Sequence, residues 1–181
     1  MSKLLGYENN VKKQEILNVQ INLLNKCTSR CKSCRKYLWP NEELGFDDVC
    51  KTLKVLKQNF NLQTVLFSGG DPLLYNNFEK VIDFCVDNGI VFSVITTLIT
   101  KDKKLLKKIA EKAYRIHVSI DAQEPRLYKN IRGVDAFEIV NENVNFVNKI
   151  RANFGLIPIR ISATIGAINF QQPIQSAQNS F

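Results

Sequence analysis

The hydropathy period of this chain switches between two residues and about 3.6 residues several times over, and that switching restricts its fold more than any other feature. Leu17, Val19, Ile21 and Leu23 alternate with Asn18, Gln20 and Asn22, the pattern of a strand. Phe46, Val49, Leu53, Leu56 and Phe60 then recur at helical spacing, with Asp47 and Asp48 in the first turn, where carboxylates suit the helix dipole. A strand at Thr64 to Phe67 and a helix through Phe78, Val81, Ile82, Cys85 and Val86, ending near Asn88-Gly89, repeat the unit. Further units follow: strand Val91 to Thr96, helix Lys103 to Lys112, strand Arg115 to Ile120, helix Ala136 to Ile150, strand Ile159 to Ile165. Five strands and four helices can be placed in the 181 residues. Strands alternating with helices of this length make right-handed βαβ units and a parallel sheet, so the fold class is α/β in one domain.

The loop after the first strand, Asn25-Lys26-Cys27-Thr28-Ser29-Arg30-Cys31-Lys32-Ser33-Cys34, holds three of the five cysteines. Thiols packed this closely, without the apolar run of a secretory signal in Met1 to Lys13, point to metal or iron-sulfur chemistry before disulfides. A zinc site wants four ligands, and the remaining candidates are remote: Cys50 and Cys85 lie in helical patterns, and His117, the single histidine, is far along the chain. Three thiolates suffice to hold three irons of a 4Fe-4S cube, leaving one iron open. A zinc knob completed by Cys50, Cys85 or His117 stays an alternative, as does a dithiol at Cys31 and Cys34 that leaves Cys27 unexplained.

With the cysteines spaced C-x3-C-x2-C, the chain resembles the radical S-adenosylmethionine (radical SAM) superfamily. Ser68-Gly69-Gly70-Asp71-Pro72 follows the second strand, where that family carries a Gly-Gly-Glu-Pro-like motif. Ser119-Ile120-Asp121-Ala122 and Ile131-Arg132-Gly133 look like its Ser-x-Asp-Gly and Arg-Gly positions. The resemblance covers roughly residues 17 to 169 and implies a partial parallel (β/α) barrel lacking its sixth unit. It further implies a 4Fe-4S cluster on Cys27, Cys31 and Cys34, and S-adenosylmethionine across Gly69, Gly70, Asp71, Ser119 and Asp121. The implied activity is an enzyme's reductive cleavage of S-adenosylmethionine to a deoxyadenosyl radical that takes hydrogen from an unidentified substrate, with a flavodoxin or ferredoxin as reductant. A non-catalytic half-barrel serving as a binding module is the second reading. The glycines would let the cofactor's amino group approach backbone carbonyls, Asp71 would meet that ammonium in place of the usual Glu, and Ser119 and Asp121 would bond the ribose hydroxyls. Thr96 and Thr97 stand at the matching end of strand three, and Arg132 could bind a carboxylate or fix its own loop. Ser33 departs from the family, which usually has an aromatic there, leaving Tyr37 or Trp39 as adenine contacts.

Alternation turns Ile116, Val118 and Ile120 toward the helices, and Arg115, His117, Ser119 and Asp121 toward the barrel interior. Ile159, Ile161, Ala163 and Ile165 likewise face out while Arg160, Ser162 and Thr164 face in, joined by Asn18, Gln20 and Asn22 of the first strand. So polar an interior suits ligands and water better than a dry core, and Asn18, Gln20, His117 and Arg160 are substrate-contact candidates. The formal charge of +8 is partly concentrated at Lys26, Arg30, Lys32, Arg35 and Lys36, whereas Lys101, Lys103, Lys104, Lys107 and Lys108 are spaced like a solvated helix face. No aromatic-interleaved basic stripe accompanies the charge, so nucleic-acid binding is not expected. With no segment of about 18 apolar residues, a cytoplasmic protein without a membrane span is expected. The organisation reads as a polar leader at 1–15, a core at 16–169 and a Gln/Ser/Asn-rich tail at 170–181. That tail offers no covering helix, which predicts an open edge at strand five and self-association or a partner chain there.

Overall fold

In the computed structural model, residues 18–35, 38–60 and 62–170 are described. The expected leader, residues 1–15, the tail from 171 onward, and Leu17, Lys36 and Tyr37 lie outside them. Five parallel strands form one sheet: β1 (Asn18–Asn22), β2 (Thr64–Ser68), β3 (Val91–Thr96), β4 (Arg115–Ser119) and β5 (Arg160–Ser162). Their spatial order is their sequence order. Each crossover therefore steps one place in the same direction, the winding of a barrel rather than of a doubly wound sheet, and right-handed crossovers then place every helix on one face.

The helices are α1 (Phe46–Phe60), α2 (Phe78–Asp87), α3 (Lys103–Lys112), α4 (Pro125–Arg132) and α5 (Phe137–Asn153). α4 corrects the expectation of four helices. It is only eight residues long, too short for a hydropathy period to stand out, yet its ends are marked by Pro125 in the first turn and by Gly133 in the left-handed region. β5 is also shorter than the expected Ile159 to Ile165 span. Among the described residues, no helix is long and apolar enough to cross a membrane.

The core lies between the sheet and the helices. Val65, Phe67, Phe92, Val94, Ile116 and Val118 point from the strands into Val49, Leu53, Val81, Ile82, Leu106, Ile109, Val140 and Val147 of the helices. Phe67 centres it, edge-on to Phe78 at 5.9 Å and tilted against Phe92 at 6.0 Å. Each fully buried side chain of this size contributes about 1.5–3 kcal/mol relative to exposure. At the open edge the burial stops: Ile161, on the helix-facing side of β5, is 57% exposed, and Ile157 and Ile165 are exposed beside it.

One buried cation fastens the helix layer to the sheet. Arg151 of α5 is 0% exposed and donates to Ala110 O (3.0 Å) and Ala113 O (2.9 Å) at the end of α3, to Tyr114 O (3.0 Å) and to Ile157 O. Carbonyls that a helix end leaves without an internal donor are thus met by one guanidinium, which fixes where β4 begins. Arg151→Met strands those carbonyls and is expected to lower stability by about 3 kcal/mol or more. Urea denaturation followed by circular dichroism checks this, and a loss below about 1 kcal/mol would contradict the assigned role.

Candidate functional site

The cysteine loop leaves the C-terminal end of β1 and is held at both ends by backbone. On the near side Leu23 N extends the ladder to Ser68 O (2.9 Å), Gly70 N donates to Leu24 O (2.7 Å) and Asp71 N to Lys26 O (2.9 Å). On the far side Arg30 N donates to Arg132 O (2.8 Å) and Lys32 N to Ile131 O (2.9 Å), while Lys32 Nζ reaches Asn130 Oδ1 (2.6 Å). The last carbonyls of α4, which have no donor within the helix, are thereby satisfied by the cysteine loop.

Glycine makes both contacts possible. A Cβ at Gly70 would sit 2.0 Å from Lys26 O, one at Gly69 would sit 2.4 Å from Leu24 O, and one at Gly133 would sit 2.6 Å from Arg30 O. Gly69 (φ 136°) and Gly133 (φ 68°) also occupy backbone regions that side chains disfavour. The missing side chain leaves room at Gly70 for the cysteine-loop backbone of Asn25 and Lys26, and at Gly69 for the backbone of Leu23 and Leu24 just before that loop.

Within the loop Cys31 is 8% exposed, Cys27 and Cys34 are half-buried, and all are free thiols. Ser29 N donates to Cys27 Sγ (3.4 Å). Burial pushes the Cys27 and Cys31 thiols up; the Ser29 amide and Arg132 pull Cys27 back, Arg132 pulls Cys31 back, and the neighbouring thiols and carboxylates push both further up. Cys27 thus feels Asp71, Arg132 and Cys34, and Cys31 feels Arg132, Cys27, Asp121 and Cys34, so residues from the ends of β1, β2 and β4 converge here. Among the described residues no three His, Cys, Asp or Glu side chains are arranged around a single ion, the arrangement a zinc knob needs. The thiolates of a cube each bind a separate iron, so they need no shared point. Cys50 and Cys85 stay in α1 and α2, and burial pushes Cys85 up to about 12, leaving it protonated and inert at neutral pH.

The two rim carboxylates are engaged within the protein. Asp71 is 1% exposed and accepts from Leu73 N (3.1 Å), Thr96 Oγ1 (2.8 Å), Thr97 N (2.9 Å) and Thr97 Oγ1. Asp121, 5% exposed, pairs with Arg132 Nη1 (2.9 Å) and accepts from Thr164 N (2.7 Å). Asn169 secures the same corner by donating to Asp121 O (2.7 Å) and Thr164 O (2.9 Å). Asp71 ties the end of β2 to that of β3, and Asp121 ties the end of β4 to the segment after β5. Ser119 ends β4 two residues before Asp121 and is half-buried.

Ser29 Oγ is buried without a partner in the loop, while the buried Tyr128 hydroxyl lies against the Arg132 guanidinium. Ser29 and Tyr128 were missed from sequence; Tyr128 belongs to α4, and its spacing from Pro125 and Ile131 was the available signal. Asn143 was also missed. From α5 it donates to Leu98 O (2.8 Å) and Thr100 O (2.9 Å), holding a rim loop in which Leu98 has φ 56°.

A parallel sheet wound in one direction, with three free thiols gathered on its C-terminal rim, is a (β/α)-barrel core of the metal-cluster type. The defining pattern of the Radical SAM superfamily matches residues 21–159, and the chain belongs to that superfamily, whose cofactors are a 4Fe-4S cluster and S-adenosylmethionine. A Methanocaldococcus jannaschii protein named "Probable GTP 3',8-cyclase" is 28% identical over 172 residues, 87% of this chain and 53% of its own length. The chain spans about half the length of the curated relatives it matches. Streptococcus suis SuiB bound to S-adenosylmethionine shares the fold with a TM-score of 0.75 at 20% identity, over 91% of this chain and 38% of its own. Methylornithine synthase does so with a TM-score of 0.67 at 18% identity, over 93% and 50%.

Gly70→Ala is expected to push the loop off the β2 exit at a cost of about 1–3 kcal/mol, with faster tryptic cleavage after Arg30 and Lys32. Gly166→Ala, where a Cβ meets nothing within 4 Å, is the control and should digest like the wild type. Equal digestion rates in both variants would contradict the packing role of Gly70.

Proposed function

We propose that this chain binds a 4Fe-4S cluster through Cys27, Cys31 and Cys34 and S-adenosylmethionine across the rim of Gly69, Gly70, Asp71, Ser119 and Asp121. Its activity is generation of a deoxyadenosyl radical for hydrogen abstraction from a substrate. The observation that carries this reading is the seating of the three-thiol loop against Gly70 and Gly133, with the Ser29 hydroxyl buried in it without a partner. The bound cofactors supply one-electron cleavage of the sulfonium to methionine and the deoxyadenosyl radical. The chain's own residues position and shield: Ser29 N supports the Cys27 sulfur, Arg132 sets positive charge beside Cys27 and Cys31, and Ser119 offers a hydroxyl to the ribose. Asp71 sets a buried negative charge at the rim for the cofactor's ammonium while its four donors hold it and the loops around it in place.

Lys26, Arg30, Lys32 and Arg35 are exposed around the loop and suit an acidic electron carrier of the flavodoxin or ferredoxin kind. The exposed isoleucines of β5 support self-association or docking of a further chain at that edge. Light scattering should show a species larger than a monomer that Ile161→Lys disperses; an unchanged monomer in both samples removes the proposal.

Anaerobic reconstitution is expected to load about four irons per chain and to release deoxyadenosine once reductant and S-adenosylmethionine are added. Alanine at Cys27, Cys31 or Cys34 should abolish both, while Cys50→Ala and Cys85→Ala keep them. Iron bound without deoxyadenosine release would favour the binding-module reading, and iron lost in Cys50→Ala or Cys85→Ala but kept in Cys27→Ala would overturn the ligand set.

A further inference from the structure

The face of the sheet opposite the helices carries a second concentration of chemistry, away from the cysteine loop. Lateral register aligns Gln20, Leu66, Ser93 and Arg115 in one row across β1 to β4, and Ile95, His117 and Arg160 in a row nearer the rim. A hollow of about 470 Å³ opens on this face, lined among others by Asn18, Gln20, Thr64, Ser93, Arg115 and His117, and no acidic side chain lines it. Arg115 and Arg160 make no ion pair among the described residues. The Arg115 guanidinium stacks 5.1 Å from the centre of the Tyr114 ring, and its Nε is buried without an acceptor. His117 lies between the two arginines, and burial, then Arg160, then Arg115, hold its imidazole below the usual histidine range.

Two guanidiniums flanking an imidazole without a counter-charge disfavour its protonated form, and an anion joining them would relieve that. A single carboxylate carries one charge, whereas a phosphate carries about −1.5 to −2 near neutral pH and takes the fork of an arginine in bidentate fashion. Amide and hydroxyl side chains of Asn18, Gln20, Thr64 and Ser93 supply the neutral donors around it. We infer that this hollow binds a phosphate group of the substrate, held by Arg115 and His117, with Arg160 adding its charge from the adjoining hollow that it lines together with Arg115. The inference rests on the radical reading for its geometry. Arg115 and Ser119 are the two ends of β4, roughly 13 Å apart at the usual rise per residue, so a substrate of that reach anchored at its phosphate presents its other end to the rim.

The test is titration calorimetry on the full chain with inorganic phosphate, tripolyphosphate and succinate as probes. The expected result is tripolyphosphate binding more tightly than phosphate, succinate weakest, and a loss of about tenfold or more in Arg115→Gln and in Arg160→Gln. Lys101→Gln, on the solvated approach to α3, should bind like the wild type. Arg160 is exposed on the edge strand, so Arg160→Gln carries the test if Arg115→Gln does not fold. Wild-type affinity in the arginine variants, an equal loss in Lys101→Gln, or succinate binding as well as tripolyphosphate would overturn the inference. Iron content and deoxyadenosine release are read on the same samples: intact values with no probe binding remove the phosphate site alone, and absent values with probe binding intact remove the radical reading.

Discussion

The rest of the site depends on close approach of backbone to backbone. Three cysteines in eight residues can serve a shared cluster only if the loop between them is held in one shape, and a loop of small and cationic side chains has little apolar surface with which to hold itself. It is held instead by its neighbours' main chain, at Gly69-Gly70 on one side and at the end of α4 on the other. Hydrogen bonds between backbones need the two chains within about 3 Å, and side chains at these glycines would forbid that distance. Rigidity at the thiols is thus borrowed from β2 and α4, elements whose own positions are set by the core.

The carboxylates belong to the same economy of structure. Asp71 and Asp121 are almost wholly withdrawn from water, which is costly for a charge unless every lone pair is met. Asp71 meets the condition with hydroxyls and amides, and Asp121 with Arg132 and the amide of Thr164. Each therefore extends the pairing of neighbouring strands past their ladder ends, Asp71 between β2 and β3 and Asp121 between β4 and β5, and the rim around the cysteines is held by polar contacts. Such a network rigidifies as it is satisfied, and Ser29 Oγ is left in it as a buried hydroxyl without a partner.

Much of this was legible in the sequence, and what was hidden follows a rule. The ends of β3 and α3 coincide with their hydropathy periods, because a strand or helix with one buried face writes that face into its residues. The cysteine spacing and the glycine-rich turn were equally plain. Hidden were features fixed by long-range partners: that Gly70 meets Lys26, that Asp71 meets Thr96 and Thr97, and that Ile131 and Arg132 present carbonyls to the cysteine loop. α4 was hidden by its brevity. Asn143 and Arg151 read as solvated polar positions by residue type, although both fall on the buried stripe of α5 with Val140 and Val147, so position was the better guide than polarity.

The far clamp has a consequence for timing. β1 to β4 pair only with sequence neighbours, so the sheet can assemble strand by strand in the order of synthesis. The loop of Cys27, Cys31 and Cys34 is an exception: its near anchor at Gly70 is available early, but Arg30 and Lys32 wait for Ile131 and Arg132, roughly a hundred residues later in the chain. A nascent polypeptide thus carries its thiols half-tethered until α4 has been made, and the loop is fastened at both ends only when α4 docks. Maturation of such a site is a late event, gated by the helix that the sequence announces least.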